Sequence, residues 1–262
     1  MKRILVLSSV AVACSLIVSV TLVLSKTSPR RPFTLRLEEE YLGGKAGGAA
    51  GQSILLAVRQ DGSTAKEIRT GRDHALPPIH EIIDVTKRLN IVIDHHAKVY
   101  DMVALSPGSV AYRSAPMRNS CEENFGMQCQ PADPILNQPT FLVQIAPAGS
   151  GSVRRMWVSP ALGWEALRVE FYADGQIASR TLAQELILGE PSTALFELPP
   201  GYHSSGGPDQ FLRQSAGSRG DMVTEPMLES VRARERWKRE HAQSVAGLWA
   251  RLRDGFWSAV HR

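Results

Sequence analysis

Apolar and polar residues alternate along much of the chain from residue 33 onward. In the segment "FTLRLEEEY" every second side chain from Phe33 to Leu37 is apolar, a period that predicts a half-buried β-strand. The same period recurs in "SILLAVRQ" and "TAKEIRT", and between them lies Asp61-Gly62, a dipeptide typical of hairpin turns. These patterns predict antiparallel strands that are joined in sequence order.

More strand-like runs follow the proline pair at 77–78. They are "IHEIIDV", "LNIVID", "AKVYDMVAL", "PTFLVQIA", "VRRMWVS", "ALRVEFY" and "IASRTLAQELIL". Short turns join them, including Asp174-Gly175 between the last two, and the chain does not alternate strands with helices as a doubly wound fold does. We predict a mainly β (α+β) domain built on a curved antiparallel sheet or incomplete barrel.

The first residues of the chain have a different character. Lys2-Arg3 precedes 22 uncharged positions, residues 4–25. A helix of that length spans about 33 Å, which matches a hydrocarbon core of about 30 Å. We predict an uncleaved single-pass membrane helix. A cleaved signal peptide and a lipoprotein signal with Cys14 as the lipidated residue remain as alternatives.

Charge is distributed unevenly along the chain. The net charge is +4 overall, +5 in residues 1–31, −5 in 32–225 and +4 in 226–262. Because the main body is net acidic, we expect no nucleic-acid partner.

The cysteines outside the N-terminal segment, Cys121 and Cys129, form a close pair on a polar loop, which predicts a disulfide and an oxidising compartment. We place the body in the periplasm, outside the cytoplasm, anchored to the inner membrane.

The C-terminal residues 226–262 predict a basic amphipathic helix. Its apolar residues recur at steps of three and four, so they lie on one stripe: Val245, Leu248, Trp249, Leu252, Phe256 and Val260. Its first half carries five basic residues between 232 and 239. We favour docking of this stripe on protein, either the body or a partner, and contact with the membrane surface is the alternative.

These patterns divide the chain into four parts. Residues 1–31 are the membrane or signal segment with a short linker, 32–203 the extracytoplasmic β domain, 204–225 a flexible Gly/Ser-rich linker, and 226–262 the basic helix.

One predicted strand end carries a candidate metal motif. In "NIVIDHHAKVY" a β-branched run leads to Asp94, His95 and His96, similar to the Asp-His-His motif of metal-dependent phosphoesterases. That site needs more ligands from other strand ends, and the spacing of His74 and His80 is not diagnostic. Because the motif lies between two predicted strands, we predict a hairpin turn with no catalytic or metal-binding role. We expect substitution of both histidines to change stability little.

Residues 153–203 resemble a known family. Trp157-Val158-Ser159-Pro160 precedes Leu162-Gly163, and after a turn come Gly189-Glu190-Pro191 and "ALFELPPGY". This order is similar to uncharacterised exported bacterial proteins related to the Lol lipoprotein carriers. The resemblance implies an incomplete barrel around helices and an apolar cavity for acyl chains, and it supplies no catalytic residues. We expect Phe196, Pro199 and Tyr202 to end the last strand and close the barrel edge.

Three functions follow from these patterns. The leading hypothesis is a non-enzymatic, membrane-anchored domain that binds a lipophilic or envelope component, such as a lipid or acyl chain, without a cofactor. The first alternative is an interaction protein that recruits a partner through its C-terminal helix. The second is a hydrolase or metal-dependent enzyme, although no Gly-x-Ser-x-Gly or His-Glu-x-x-His pattern is present. An apolar cavity would favour the first, a filled core the second, and a polar cleft with His74, His80 and His95 the third.

Overall fold

The computed structural model describes residues 30–42, 51–70, 77–115, 120–146 and 152–218. In these ranges the chain forms one large, curved, open sheet of twelve strands with a few short helices, so the mainly β prediction is confirmed. The predicted N-terminal membrane helix and C-terminal amphipathic helix lie outside these ranges. No helix within them is long and apolar enough to cross a bilayer.

The sheet contains every strand that the alternating pattern predicts. In chain order its strands are β1 (Phe33–Tyr41), β2 (Gln52–Val58), β3 (Thr64–Thr70), β4 (Ile79–Asp84), β5 (Leu89–Asp94), β6 (Val99–Ala104), β7 (Gln130–Ile135), β8 (Gln138–Ile145), β9 (Ser152–Ser159), β10 (Glu165–Ala173), β11 (Gln176–Leu188) and β12 (His203–Ser204). The order across the sheet is β12-β6-β5-β4-β3-β2-β1-β11-β10-β9-β8-β7. Among the strands that the structure describes, only β12 and β6 pair in parallel, and β1 joins the two halves of the sheet by lying between β2 and β11.

The predicted turns have the backbone geometry that tight hairpins require. Gly62 has φ +87°, and the N–H of Arg59 donates to the carbonyl of Ser63 across this turn. A Cβ at Gly62 would lie 2.2 Å from the carbonyl oxygen of Arg113, so only glycine fits there. Asp174 and Gly175 have φ +51° and +78°, as a two-residue hairpin turn needs.

The inner face of the sheet is defined here as the side that carries Phe33, Leu35 and Leu37. These side chains are buried, and cross-strand pairing continues their face to β2 on one side and β11 on the other. Three side chains from outside the central strands pack against this cluster: Leu162, from the 3-10 helix Pro160–Leu162, and Ile135 and Leu136 at the β7–β8 turn.

A second part of the inner face is covered by a short helix. Val143, Met156 and Val158 are buried on β8 and β9, and they pack with Trp164 and with Phe125 of helix α2 (Cys121–Phe125). Helix α1 (Pro107–Ser114) lies between β6 and α2 in the chain, and its C-terminal end touches the β2–β3 turn at Gly62.

The opposite side of β3, β4 and β5, the outer face, is covered by the segment 193–202. Phe196, in the 3-10 helix Thr193–Phe196, is buried against Ala65, Ile82 and Ile91, and Tyr202 packs at the border of this cluster. The Phe-x-x-Pro-x-x-Tyr segment therefore crosses a face of the sheet. We expected this segment to end the last strand, and that expectation is wrong. Its apolar side chains instead pack over β3 to β5 and bury this second cluster.

The predicted linker at 204–225 differs from expectation in its described part. Residues 208–218 form helix α3 (Pro208–Ser218), which contacts β6. The hydroxyl of Ser215 donates to the carboxylate of Asp94, and both side chains are buried. The folded body therefore extends to at least residue 218, whereas 219–225 lie outside the described residues.

Candidate functional site

The Asp-His-His motif forms the predicted hairpin turn between β5 and β6. Asp94 is 0% exposed, and its Oδ1 accepts hydrogen bonds from the backbone N–H of His96 at 2.7 Å and of Ala97 at 3.1 Å. Its Oδ2 accepts from Ser215 on α3. The carboxylate therefore shapes the turn and fastens α3 to it.

His95 forms a second cluster with two residues distant in sequence. Its ring stacks on His80 with centroids 5.7 Å apart, and its Nδ1 lies 3.0 Å from the hydroxyl of Tyr202. Burial lowers the pKa of both histidines, while the carboxylate of Glu67 acts in the opposite direction. The two Nε2 atoms are buried without a hydrogen-bond partner in the described part of the chain.

This packing changes one expectation. His96 is exposed, as a turn residue should be, but His95 is partly buried and holds Tyr202 over the outer face. Substitution of both histidines therefore acts on a packed contact at His95, and the expectation of a small effect applies only to His96.

The side chains around the turn match neither a serine–histidine nucleophile pair nor a metal site. A nucleophilic serine needs its hydroxyl on a histidine nitrogen, whereas Ser215 donates directly to Asp94 and His95 bonds Tyr202. In the described ranges no three His, Cys, Asp or Glu side chains are grouped closely enough to hold a metal ion. His74 lies outside those ranges.

A polar pair lies near the inner face, among the apolar clusters. Lys66 on β3 shares the inner face with Leu56, its cross-strand partner, and its charge acts on Glu165 at the start of β10. Four strand steps separate β3 from β10, which would be about 19 Å in a flat sheet, so the curvature brings the two residues closer. Burial raises the pKa of Glu165, while the Ala166 N–H, Lys66 and Arg30 act to lower it.

Ser159 is the cross-strand partner of Glu165 in the β9–β10 ladder. Ser159 is 0% exposed, and its hydroxyl has no hydrogen-bond partner in the described part of the chain. A buried hydroxyl without a partner is uncommon in folded proteins, because it loses its hydrogen bonds to water without replacement.

The centre of the inner face is filled by side chains of the protein itself. Leu35 and Leu167 are 0% exposed, so no space large enough for water adjoins them. Part of this filling comes from Leu136 and Leu162, which belong to short connections. Leu136 has φ +49°, and Trp164, two residues after Leu162, has φ +63°; both values are unfavourable for residues with a Cβ. At this point the described core is filled, which by itself favours the interaction-protein alternative, and a lipophilic ligand could enter here only if some of these side chains moved.

A charged network on the outer face of β9 to β11 was not anticipated. Glu170 is 2% exposed and accepts hydrogen bonds from Arg168 and from the hydroxyl of Tyr172 at 2.8 Å. Burial alone would raise the pKa of Glu170, but these hydrogen bonds and the charges of Arg168 and Arg180 together lower it. The guanidinium of Arg168 lies 4.4 Å from the ring centroid of Trp157. In the sequence, the spacing Arg168-x-Glu170-x-Tyr172 places the three side chains on one face of a strand, and this pattern could have predicted the network.

The two cysteines lie side by side, Cys121 at the first position of α2 and Cys129 just before β7. Their Cα atoms are 5.9 Å apart, which fits the expected disulfide. The pair packs against the cluster of Val143 and Met156, so it would tie α2 to the inner face. The six stripe residues between 245 and 260 lie outside the described residues.

Comparison with known proteins gives weak structural likeness. No protein-family model matches the chain, and no curated protein matches it. An uncharacterized conserved protein from Thermus thermophilus is 9% identical, with a TM-score of 0.44 over 71% of this chain and 98% of that one. MucB in the Pseudomonas aeruginosa MucA/MucB complex is 13% identical, with a TM-score of 0.38 over 65% of this chain and 56% of that one. A LolA-superfamily protein from Nitrosomonas europaea is 10% identical, with a TM-score of 0.22 over 66% of this chain and 92% of that one. The chain thus weakly resembles LolA-superfamily proteins and MucB in structure.

Proposed function

We propose that this chain is a non-enzymatic, membrane-anchored extracytoplasmic domain that binds a lipophilic component at the inner face of its sheet. One observation carries the proposal: Ser159 and its cross-strand partner Glu165 place a partnerless buried hydroxyl and a half-buried carboxyl at the end of the β9–β10 ladder, next in the chain to the buried Val158 and Trp164. An apolar surface with a few polar groups of this kind is typical of a ligand site.

Ser159 and Glu165 would serve to orient a ligand. An unpaired buried hydroxyl costs about 1–3 kcal/mol of stability, and a ligand that bonds it recovers part of that cost. The apolar part of the ligand would replace side chains that now fill the interior. We expect Leu136 and Leu162 to be displaced. The short connections that carry them contain Leu136 and Trp164 in the unfavourable left-handed backbone region, so a change of conformation there costs less.

Ligand binding is tested on the full-length protein extracted in mild detergent from its native membrane. Lipophilic molecules that co-purify are identified and counted by mass spectrometry. Ser159→Ala is compared with Ser63→Ala as the matched control. Ser63 is equally buried at 1% exposure, but its hydroxyl donates to Asp61 and accepts from the N–H of Val85.

The two variants should behave in opposite ways. Ser159→Ala should leave stability unchanged or raised and reduce the bound lipophile several-fold, because it deletes only the unpaired group. Ser63→Ala should cost about 1–2 kcal/mol of stability and leave bound lipophile unchanged. Wild-type protein without a stoichiometric lipophile, or with equal amounts in both variants, would contradict the proposal.

The membrane anchor and the compartment are part of the same proposal. The apolar run at 4–25 and the cysteine pair support them. The full-length protein should remain in the membrane pellet after carbonate extraction. In spheroplasts, protease should digest the body from outside. Release by carbonate, or protection from protease in intact spheroplasts, would contradict the anchor or the compartment.

A second candidate function, binding of a protein partner, is favoured by the edge strand β6. The carbonyls of Lys98 and Tyr100 accept hydrogen bonds on the side of β6 where β12 lies. Because backbone groups alternate in direction along a strand, the N–H and C=O of Met102 and Ala104 point to the same side, away from β5. No described strand pairs with them there. Met102 and Val103 are 41% and 38% exposed. The opposite edge, β7, carries two prolines, which block strand addition.

Such a partner would add a strand to β6. Met102→Pro removes an outward N–H and should abolish a specific cross-linked adduct formed in native membranes, while the protein stays folded. Val103→Pro is the comparison variant. It removes a donor that points toward β5, so it should lower stability as well. An adduct that survives Met102→Pro would contradict strand addition at this edge.

A further inference from the structure

Two apolar side chains are exposed at the end of β11. Ile187 and Leu188 are 57% and 53% exposed. Leu188 is the cross-strand partner of Phe33, and the N–H of Gly189 donates to the carbonyl of Pro32 at 3.0 Å. The exposed pair therefore lies beside the residues through which the chain enters the sheet.

The distance from this pair to the predicted anchor is short. Seven residues, 26–32, separate the end of the apolar run from β1, and two of them are proline. Seven extended residues reach at most about 25 Å. If residues 4–25 cross the bilayer, this end of the sheet lies within reach of its surface, and the opposite end is about 27 Å further away along β1.

Basic side chains gather at the same end of the sheet. Arg30 and Arg31 precede β1, and Arg59 lies in the β2–β3 turn. Lys87 and Arg88 lie in the β4–β5 turn, and Arg113 lies near the end of α1. The carboxylates there include Asp61, Asp84, Glu165 and Glu190. Asp61 bonds Ser63, Asp84 lies 3.2 Å from Lys87, the charge of Arg30 acts on Glu165, and Glu190 accepts from the N–H of Gln60. Basic groups outnumber the acidic ones at this end.

The other end of β1 differs in charge but not in exposed apolar area. Leu42 is 51% exposed, almost as much as Leu188, and it follows three consecutive glutamates at 38–40. Apolar exposure by itself therefore does not distinguish the two ends. Arginines such as Arg69 and Arg154 also lie at the Tyr41 end, but the glutamates there offset them. The distinguishing features are the excess of basic over acidic groups and the closeness to the anchor.

We propose that the sheet end formed by Ile187, Leu188 and the basic residues around them rests on the anionic phospholipid surface of the membrane that holds the N-terminal helix. Arginine and lysine side chains would meet lipid phosphates, and the two apolar side chains would enter the headgroup layer. The sheet would then stand on the membrane with its glutamate-bearing end pointing away. This inference rests on the anchor of the proposed function.

The test uses the full-length chain with Cys14→Ser, reconstituted in vesicles of phosphatidylglycerol and phosphatidylethanolamine. A nitroxide is attached at Leu188→Cys or, as the matched control, at Leu42→Cys. Collisions with oxygen, which concentrates in lipid, and with a water-soluble nickel complex are measured by electron paramagnetic resonance. Carbonate-resistant flotation of the vesicles is measured on the same samples.

The label at 188 should show an oxygen-to-nickel ratio several-fold higher than the label at 42. Replacing Arg30 and Arg31 by glutamine, or the anionic lipid by phosphatidylcholine, should lower the ratio at 188 alone. Equal, water-like ratios at both positions in protein that floats would overturn the inference and leave the anchor intact. Protection of position 188 from both reagents would also overturn it, because protein would then cover the site. Protein that does not float would remove the anchor and this inference together.

Discussion

Replacing His80 by asparagine should make the folded protein less sensitive to acid. His80 is 3% exposed and stacks on His95, and burial lowers its pKa below the ordinary value of 6.5. The hydrogen bond between His80 and the backbone of Leu195 raises that pKa, so the ring donates to the Leu195 carbonyl. An asparagine amide can make the same donation and does not titrate.

The size of the effect follows from proton linkage. Below pH 6.5 an unfolded histidine binds a proton that the buried one resists, so stability is greatest above that pH and falls as the pH is lowered. If His80 stays neutral in the folded state, the loss between pH 6.5 and 5.5 is about 1 kcal/mol. With a urea m-value of about 1–3 kcal/mol/M, the unfolding midpoint moves by about 0.3–1 M. Glu67 opposes this shift and makes the figure an upper limit.

The assay is urea unfolding of the full-length protein in mild detergent at pH 7.5, 6.5 and 5.5, followed by tryptophan fluorescence. The stability difference between wild type and His80→Asn should shrink or change sign as the pH falls. His96→Asn, on the exposed part of the neighbouring turn, is the matched control for the same substitution outside the packed cluster. A difference between wild type and His80→Asn that is constant across the three pH values would refute the role of His80.

Other outcomes test the core, the disulfide and the tail. Leu35→Ala should lower the free energy of unfolding by about 2–5 kcal/mol in urea titrations, and Leu42→Ala by less than about 0.5 kcal/mol; a loss below about 1 kcal/mol at Leu35 would contradict the filled interior. Exported, denatured protein should show no free thiol at Cys121 or Cys129 without reductant, and the bond should contribute about 2.5 kcal/mol; two free thiols there would contradict it. If residues 226–262 dock on the body, the free peptide should bind anionic vesicles far more strongly than the body released from its anchor, and equal binding would exclude docking.

The strands and hairpin turns were predictable because their signals are local. A period of two places every second side chain of β1 on the buried face, and the turn at Gly62 requires a backbone angle that glycine adopts easily. The turn at Asp94 was predictable for the same reason, since its carboxylate bonds the backbone two and three residues ahead. These features depend on a few consecutive residues.

Other features depend on which distant segments meet, and no local pattern encodes that. The segment that ends at Tyr202 could have continued a strand; it crosses the outer face because the apolar side chains of β3 to β5 there must be buried. The same packing joins His80, His95 and Tyr202, and the curvature of the sheet brings Lys66 close enough to act on Glu165. Such contacts form only when the energy of burial outweighs the entropy lost on closing a long loop, so they follow from the whole fold and cannot be read from any one segment.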